Sequence, residues 1–409
     1  MIQRRWIIKN LVRLCGLALF LGFGYFAAVF ILRGPIVAYR MITNGAPNIY
    51  TYTIFPQRAI ENTGTVSELK KESLAGFPET VTFPYHGSQR TMRLSDLFTQ
   101  TDTKAFIVIH DDTVIYETYP NEARRDPINT SFSVAKSVTS ALIGIAIDER
   151  KINSVEDPVI RYIPELKGRG LDTLTIRHML TMSSGVPYQV SNDGMCFLAL
   201  PFSDDAQQYY SPNLRKIALS VQRSDEPIGA YFRYNDDYLL LEGLILERVT
   251  GGHVAEYLQN KIWKPLGMEY PASWSLDSEA DGFEKTNSAL NARAIDFARF
   301  GLLFLHKGKW HGRQIISEKW VSESTAPDPT DQRPWRVYAR WPQAGGYYKF
   351  HWWGLKNPDG TYDYMAWGVR EQIIYISPSR NMVVVRFGAE PDPKIIWPFV
   401  IRSLIQVIP

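Results

Sequence analysis

The stretch "INTSFSVAKSVTSALIGIAIDERKI", residues 128–152, reads as a helix that is apolar on nearly every side. Such a pattern belongs to a helix buried in a core. Yet it carries a lysine, Lys136, three residues after a serine, Ser133, where the helix begins. A cation is badly placed there. The helix N-terminus is the positive end of the backbone dipole, and burial adds a desolvation cost to the ammonium. Either Lys136 reaches solvent and the pairing is accidental, or the instability of its charged form is put to use.

Serine and lysine three apart on a helix share one face and reach each other. A serine hydroxyl is a weak nucleophile until a neighbouring base takes its proton. Lysine can be that base when burial, a helix N-terminus or a nearby cation favours its neutral form. Taken alone, Ser-x-x-Lys arises by chance in many chains as a surface pair. The apolar helix that follows adds weight to the chemical reading.

The whole chain sets bounds on this reading. Its 409 residues suffice for a sizeable core, and 45% apolar with 21% charged residues describes a folded globular protein. A formal charge of +3, with no basic stripe and no recognition motif, gives no reason to expect a nucleic-acid partner. The 11 Trp and 22 Tyr are expected in core and rim packing rather than a cofactor cage. Only Cys15 and Cys196 are available, and Cys15 sits in an apolar N-terminal segment, so no disulfide framework is expected.

That segment, "LCGLALFLGFGYFAAVFIL" from Leu14 to Leu32, contains no charge, and its length nearly matches a bilayer's hydrocarbon core. Arg4, Arg5, Lys9 and Arg13 precede it, while Arg33 and Arg40 follow. The positive-inside rule places the N-terminus in the cytoplasm. A cleaved signal peptide would have a shorter apolar run and a small-residue cleavage site, which "RGPIVAYRM" does not offer. The expectation is an uncleaved single-pass anchor in the cytoplasmic (inner) membrane, with the catalytic part extracytoplasmic.

Three regions are expected: residues 1–33 as tail and anchor, 34–77 as connector, and 78–409 as a folded domain. "KAFIVIHDDTVIYETY" (104–119) reads as two strands around Asp111-Asp112. Residues from about 150 to 265 read as mostly helical, and "AIDFARFGLLFLHKGKW" as an amphipathic helix closing at Gly308. "EQIIYISPSRNMVVVRFG" (371–388) reads as a hairpin across Pro378-Ser379-Arg380, with a last helix from about 395. Strands from both ends with helices between predict an α+β fold: an antiparallel sheet flanked by helices, with a mostly helical subdomain.

Three stretches follow the Ser133–Lys136 element in order: "DTLTIRHMLTMSSGVPY" (172–188), "FRYNDDYLLLEGLILERVTGG" (232–252) and "IWKPLGMEYPASW" (262–274). Together they resemble the serine β-lactamase-like, or penicillin-binding-protein-like, hydrolases over roughly residues 80–400. "NARAIDFARFGLLFLHKGKWHGRQIISEKWV" and "MAWGVREQIIYISPSRNMVVV" are similar to the 6-aminohexanoate-dimer hydrolase branch. The resemblance implies the β-lactamase/D,D-peptidase-like fold and an acyl-enzyme hydrolase of a small-molecule amide or ester, without cofactor or metal. It makes Ser133 the nucleophile, Lys136 its base, and Tyr234 a proton relay whose pKa nearby cations lower. The oxyanion hole would be formed by the backbone N–H groups of Ser133 and Val369.

Two positions depart from the family pattern. Asp236 stands where many relatives have Asn or Ser; beside Lys136 it would favour the ammonium, and facing solvent it would be harmless. The Lys-Thr-Gly-type element is Ala366-Trp367-Gly368, so Trp367 brings neither cation nor hydroxyl to a substrate carboxylate. Arg370 is a stand-in cation or an exposed strand-end arginine. His306 and His311 are spaced off a shared helical face, and no His-Glu-x-x-His run exists, so no metal site is expected. His178 reads as a structural residue, and His351 as one near the cleft. The rival readings are a D,D-peptidase or β-lactamase acting on cell-wall peptides or their mimics, and an inactive envelope binding protein. Oligomeric state is not legible.

Overall fold

Two strands rich in β-branched residues, β1 (Thr103–His110) and β2 (Thr113–Thr118), form the expected antiparallel hairpin. Asp111 and Asp112 turn it at positive φ, 48° and 60°, a conformation that aspartate tolerates better than most residues. The computed structural model describes residues 2–120, 127–189, 201–279, 281–389, 392 and 394–409, the side chains of residues 2–5 and 7–9 excepted. Cys196 and the side chains of Arg4, Arg5 and Lys9 therefore lie outside the described residues.

Five more strands come from the C-terminal part: β3 (Gly346–Lys349), β4 (Trp352–Lys356), β5 (Tyr362–Gly368), β6 (Gln372–Ser377) and β7 (Met382–Gly388). They join the hairpin in the order β3-β4-β5-β6-β7-β1-β2, all antiparallel, and Lys70–Lys71 adds a short parallel edge beside β2. The sheet is thus built from distant parts of the chain, as an α+β fold requires. β6 and β7 are buried at every residue, because both faces are covered. On one face lies helix α3 (Ala294–Leu305), with Phe297 packed on Phe387 at 4.8 Å. Gly301 permits this approach: a Cβ there would stand 2.7 Å from Val383 Cγ1. On the other face Trp397, opening helix α4 (Trp397–Val407), packs 5.8 Å from Phe106.

The opening quotation forms helix α1 (Val134–Asp148), buried continuously from Val134 to Ala146. It packs against β5 and against helix α2 (Asp237–Thr250), which ends on a left-handed Gly251. A Cβ at Gly144 would fall inside the Trp320 ring, so this helix comes closer to its neighbour than any other residue would allow. A second, four-stranded sheet joins Gln57–Ile60, Ala272–Ser275, Leu290–Ala292 and Asn129–Thr130, the last leading directly into the start of α1.

Contacts group residues 48–188 with 214–409 in one unit, and 1–47 with 189–213 in another. This division differs from the expected one: Gln57–Ile60, assigned to the connector, pairs strand to strand with Ala272–Ser275. In the smaller unit the apolar helix Ile2–Arg33 is followed by Pro35–Asn44. Arg33 donates to the Pro201 carbonyl at 3.0 Å and bonds the Phe202 carbonyl and the Gln207 side chain. Within the first helix, Asn10–Arg33 is long and apolar enough to cross a membrane or to serve as a signal sequence.

Candidate active site

Ser133 is the N-cap of α1, and the residue before it, Phe132, is buried with φ at 42°. A non-glycine residue in this left-handed region is held there by its surroundings, and such strain concentrates at functional positions. It turns the chain from the short strand Asn129–Thr130 into the helix. One turn on, the Lys136 ammonium donates to Ser133 Oγ at 2.8 Å and to the Asn287 carbonyl at 2.8 Å. Asp236 Oδ1 lies 3.0 Å from the same ammonium, and the Lys136 side chain is only 1% exposed. Of the two readings left open for Asp236, the structure takes the one beside the lysine. The other carboxylate oxygen accepts from Asn287 Nδ2 at 3.0 Å.

Tyr234 completes this group. Its hydroxyl hydrogen-bonds Ser133, and its ring faces the Lys136 ammonium at 5.1 Å from the centroid. Burial, and secondarily the Asp236 charge, push this phenol well above its ordinary pKa, while the bond to Ser133 acts in the opposite sense. The expectation that cations lower it is therefore reversed: burial, with Asp236 adding to it, keeps the phenol protonated at rest. Aromatic rings fix its position, with Trp353 stacked at 5.8 Å and Tyr338 and Tyr348 edge-on at 5.8 and 6.1 Å.

The end of β5 meets the start of α1. A Cβ added to Gly368 would stand 2.8 Å from the Ser131 carbonyl oxygen and 2.9 Å from Ser133 N, so only glycine lets the strand lie against that backbone. Val369, the next residue, is 47% exposed. Trp367 is half-buried against Trp341 and Trp353, with centroids 5.2 and 5.4 Å away, and hydrogen-bonds Glu371. Arg370 takes φ 63° and donates to the Ala389 carbonyl at the end of β7.

A serine hydroxyl with a buried lysine and a neutral tyrosine O–H, beside close-packed backbone N–H groups, can support nucleophilic acyl transfer. The beta-lactamase family model matches residues 96–393, the greater part of the 409. The chain belongs to the beta-lactamase family. The 6-aminohexanoate-dimer hydrolase of Paenarthrobacter ureafaciens is 27% identical over 322 residues, covering 74% of this chain and 77% of its own. A solved Bacillus anthracis structure named for a 6-aminohexanoate-dimer hydrolase superposes with TM-score 0.72 at 23% identity, over 88% of this chain and 90% of that one. One from Bacteroides dorei DSM 17855 named for a beta-lactamase gives 0.60 at 19% identity, over 73% and 89%. The fold is that of the β-lactamases and penicillin-binding proteins, and the protein is a β-lactamase-like serine hydrolase.

Sequence reasoning missed several members of this beta-lactamase-family site. The Asn287 carbonyl that holds Lys136 is a backbone atom 151 residues away, and no pattern announces it. His351, expected near the cleft, is buried: Nε2 pairs with Glu242 at 2.9 Å, and Nδ1 with the hydroxyl of Tyr348, at 3.0 Å. It thus fixes one of the rings against Tyr234. Glu371, also missed, is partly buried, with its carboxyl on Trp367 and the Trp397 backbone N–H. Near the C-terminal end of α2, Glu247, His253 and Glu284 each bring one atom within 4.8 Å of the others, a spacing that could hold a metal. Arg215 already bonds both Glu247 oxygens and Arg58 pairs with Glu284, so guanidinium charge balances these carboxylates.

Proposed function

We propose that this protein hydrolyses an amide or ester through an acyl-enzyme on Ser133. In its neutral form Lys136 takes the hydroxyl proton as Ser133 Oγ attacks the carbonyl carbon. The N–H groups of Ser133 and Val369 stabilise the oxyanion, and Tyr234 gives its proton to the leaving group. Water then releases the acyl group along the reverse route. The observation that carries this reading is the 2.8 Å bond between Lys136 Nζ and Ser133 Oγ, with Tyr234 bonded to the same serine. Ser133→Ala should abolish hydrolysis of p-nitrophenyl butyrate with the fold intact; full activity in that variant would remove the proposal.

The same reading takes Leu14–Leu32 as a retained inner-membrane anchor with the hydrolase domain extracytoplasmic, supported by the span Asn10–Arg33. N-terminal sequencing of membrane-purified protein should find a start before Leu14. A mature start after Leu32 would make the segment a cleaved signal.

A further inference from the structure

The larger unit holds a cleft of about 780 Å³ beside edge strand β3, lined among others by His178, Arg333, Tyr348 and Lys349. Two of its donors are unused. Thr175 gives its backbone N–H and its hydroxyl to His178 Nδ1, at 3.1 and 2.8 Å, which makes Nδ1 the acceptor and puts the ring proton on Nε2. Burial lowers this imidazole's pKa, so it stays neutral. Gly229 leaves the space next to Nε2 open, since a Cβ there would stand 3.3 Å from it. Among the described residues Nε2–H has no acceptor.

Lys349 is the second. Its ammonium stands over the Phe350 ring, 5.8 Å from the centroid, and among the described residues it makes no hydrogen bond or ion pair. Burying an ammonium is costly, and burial lowers the lysine's pKa against the opposing pull of Asp328, Glu323 and Asp331. The other charges of the cleft are committed. Arg333 pairs with Asp331, and Arg177 with Glu156 and Glu323. What remains is Lys349 and the exposed Lys356 against Asp328, whose carboxylate accepts from Thr330. That balance suits one negative charge; a dianion would meet Asp328. The cleft also borders the reaction site, because Tyr348 lines it and packs 6.1 Å from Tyr234.

We propose that this cleft binds a carboxylate, either free or carried by the substrate several bonds from the scissile group, with Lys349 supplying charge and His178 a neutral N–H donor. Assigning it to the substrate rests on the hydrolase reading of Ser133; the binding itself does not. Hexanoate binding is therefore measured by calorimetry on the detergent-solubilised full chain as Ser133→Ala, which needs no turnover. Hexanoate should bind, and Lys349→Met should weaken it about tenfold, with Lys349→Arg retaining it. Lys349→Gln serves the same purpose should the methionine variant fail to fold.

Turnover of p-nitrophenyl butyrate and of p-nitrophenyl hydrogen adipate separates the two sources. If the substrate supplies the carboxylate, Lys349→Met lowers kcat/KM about tenfold for the acid-tipped ester, through KM, and leaves the neutral ester unchanged. If a free carboxylate occupies the cleft, hexanoate alters turnover of the neutral ester and Lys349→Met removes that response. Either result assigns the cleft. Binding by Ser133→Ala, with neither ester hydrolysed by the wild type, would keep the cleft and end the hydrolase reading. The proposal is overturned if hexanoate does not bind, or binds Lys349→Met and Lys349→Gln as tightly as the parent.

Discussion

The Asp236 carboxylate faces the Lys136 ammonium at 3.0 Å, and the lysine is almost wholly enclosed. An anion so near favours the charged lysine, the form that cannot take a proton from Ser133. On the proposed mechanism, this departure from the family pattern trades a readier base for a held one. Asp236→Asn should move the acidic limb of the pH–kcat/KM profile down. It should also cost about 1–3 kcal/mol of stability, because a buried ammonium loses its counter-ion. A pH series and a urea titration check both; an unmoved limb would mean the pair does not govern the base.

Close approach at Gly368 makes a second prediction. Gly368→Ala puts a methyl 2.9 Å from Ser133 N, so the strand must retreat from the start of α1. Losing one aligned oxyanion donor typically lowers kcat by about a hundredfold or more. We predict a loss of that size in kcat with KM little changed, read by steady-state kinetics on p-nitrophenyl butyrate. A normal kcat would place the oxyanion elsewhere.

Glu371 supplies a pH-dependent stability test. Burial raises its carboxyl from an ordinary 4.5 to about 7, against the opposing pull of Arg386. The folded chain thus holds this proton more tightly than the unfolded one. Its contribution is complete at acid pH and is lost as pH rises from about 4.5 through about 7. Glu371→Gln cannot titrate. Wild type should lose stability relative to the variant across that window, by up to about 3 kcal/mol. Urea midpoints at about pH 5 and about pH 8 measure it; a constant difference would contradict it.

How far the chain could be read in advance follows from the range of each signal. Ser133 and Lys136 are linked by helical periodicity, and the hairpins 104–119 and 371–388 by alternation around their turns. Those signals are local, and the structure contains all of these elements. Asp236 was legible only as a choice, because its rotation about the start of α2 depends on what packs opposite. Asn287, Trp353 and Glu371 left no trace in sequence, since each meets the site through tertiary packing. Gln57–Ile60 read as linker because four residues of an edge strand are too few to show a period.

β-Lactam turnover should be poor. Penicillins and cephalosporins carry a carboxylate close to the scissile amide, and the strand bordering Ser133 offers it Ala366, Trp367 and Gly368. Arg370, the stand-in cation, is turned to the Ala389 carbonyl. A hydrogen bond to a charged group is worth about 1.5–3 kcal/mol, so its loss from the transition state lowers kcat/KM by about ten- to a hundredfold. Nitrocefin is expected to be the worse substrate against a neutral p-nitrophenyl ester. Equal or better cephalosporin turnover, lost in Arg370→Ala, would show that the arginine swings into the site.

The central claim is that Ser133 is the acylated residue, and covalent labelling tests it most directly. The full-length protein is treated with a fluorophosphonate, digested, and the modified peptide located by tandem mass spectrometry. The account predicts one adduct, on Ser133, that Lys136→Met strongly reduces and Ser133→Ala abolishes. An adduct on another serine, or labelling that persists unchanged in Ser133→Ala, would contradict it.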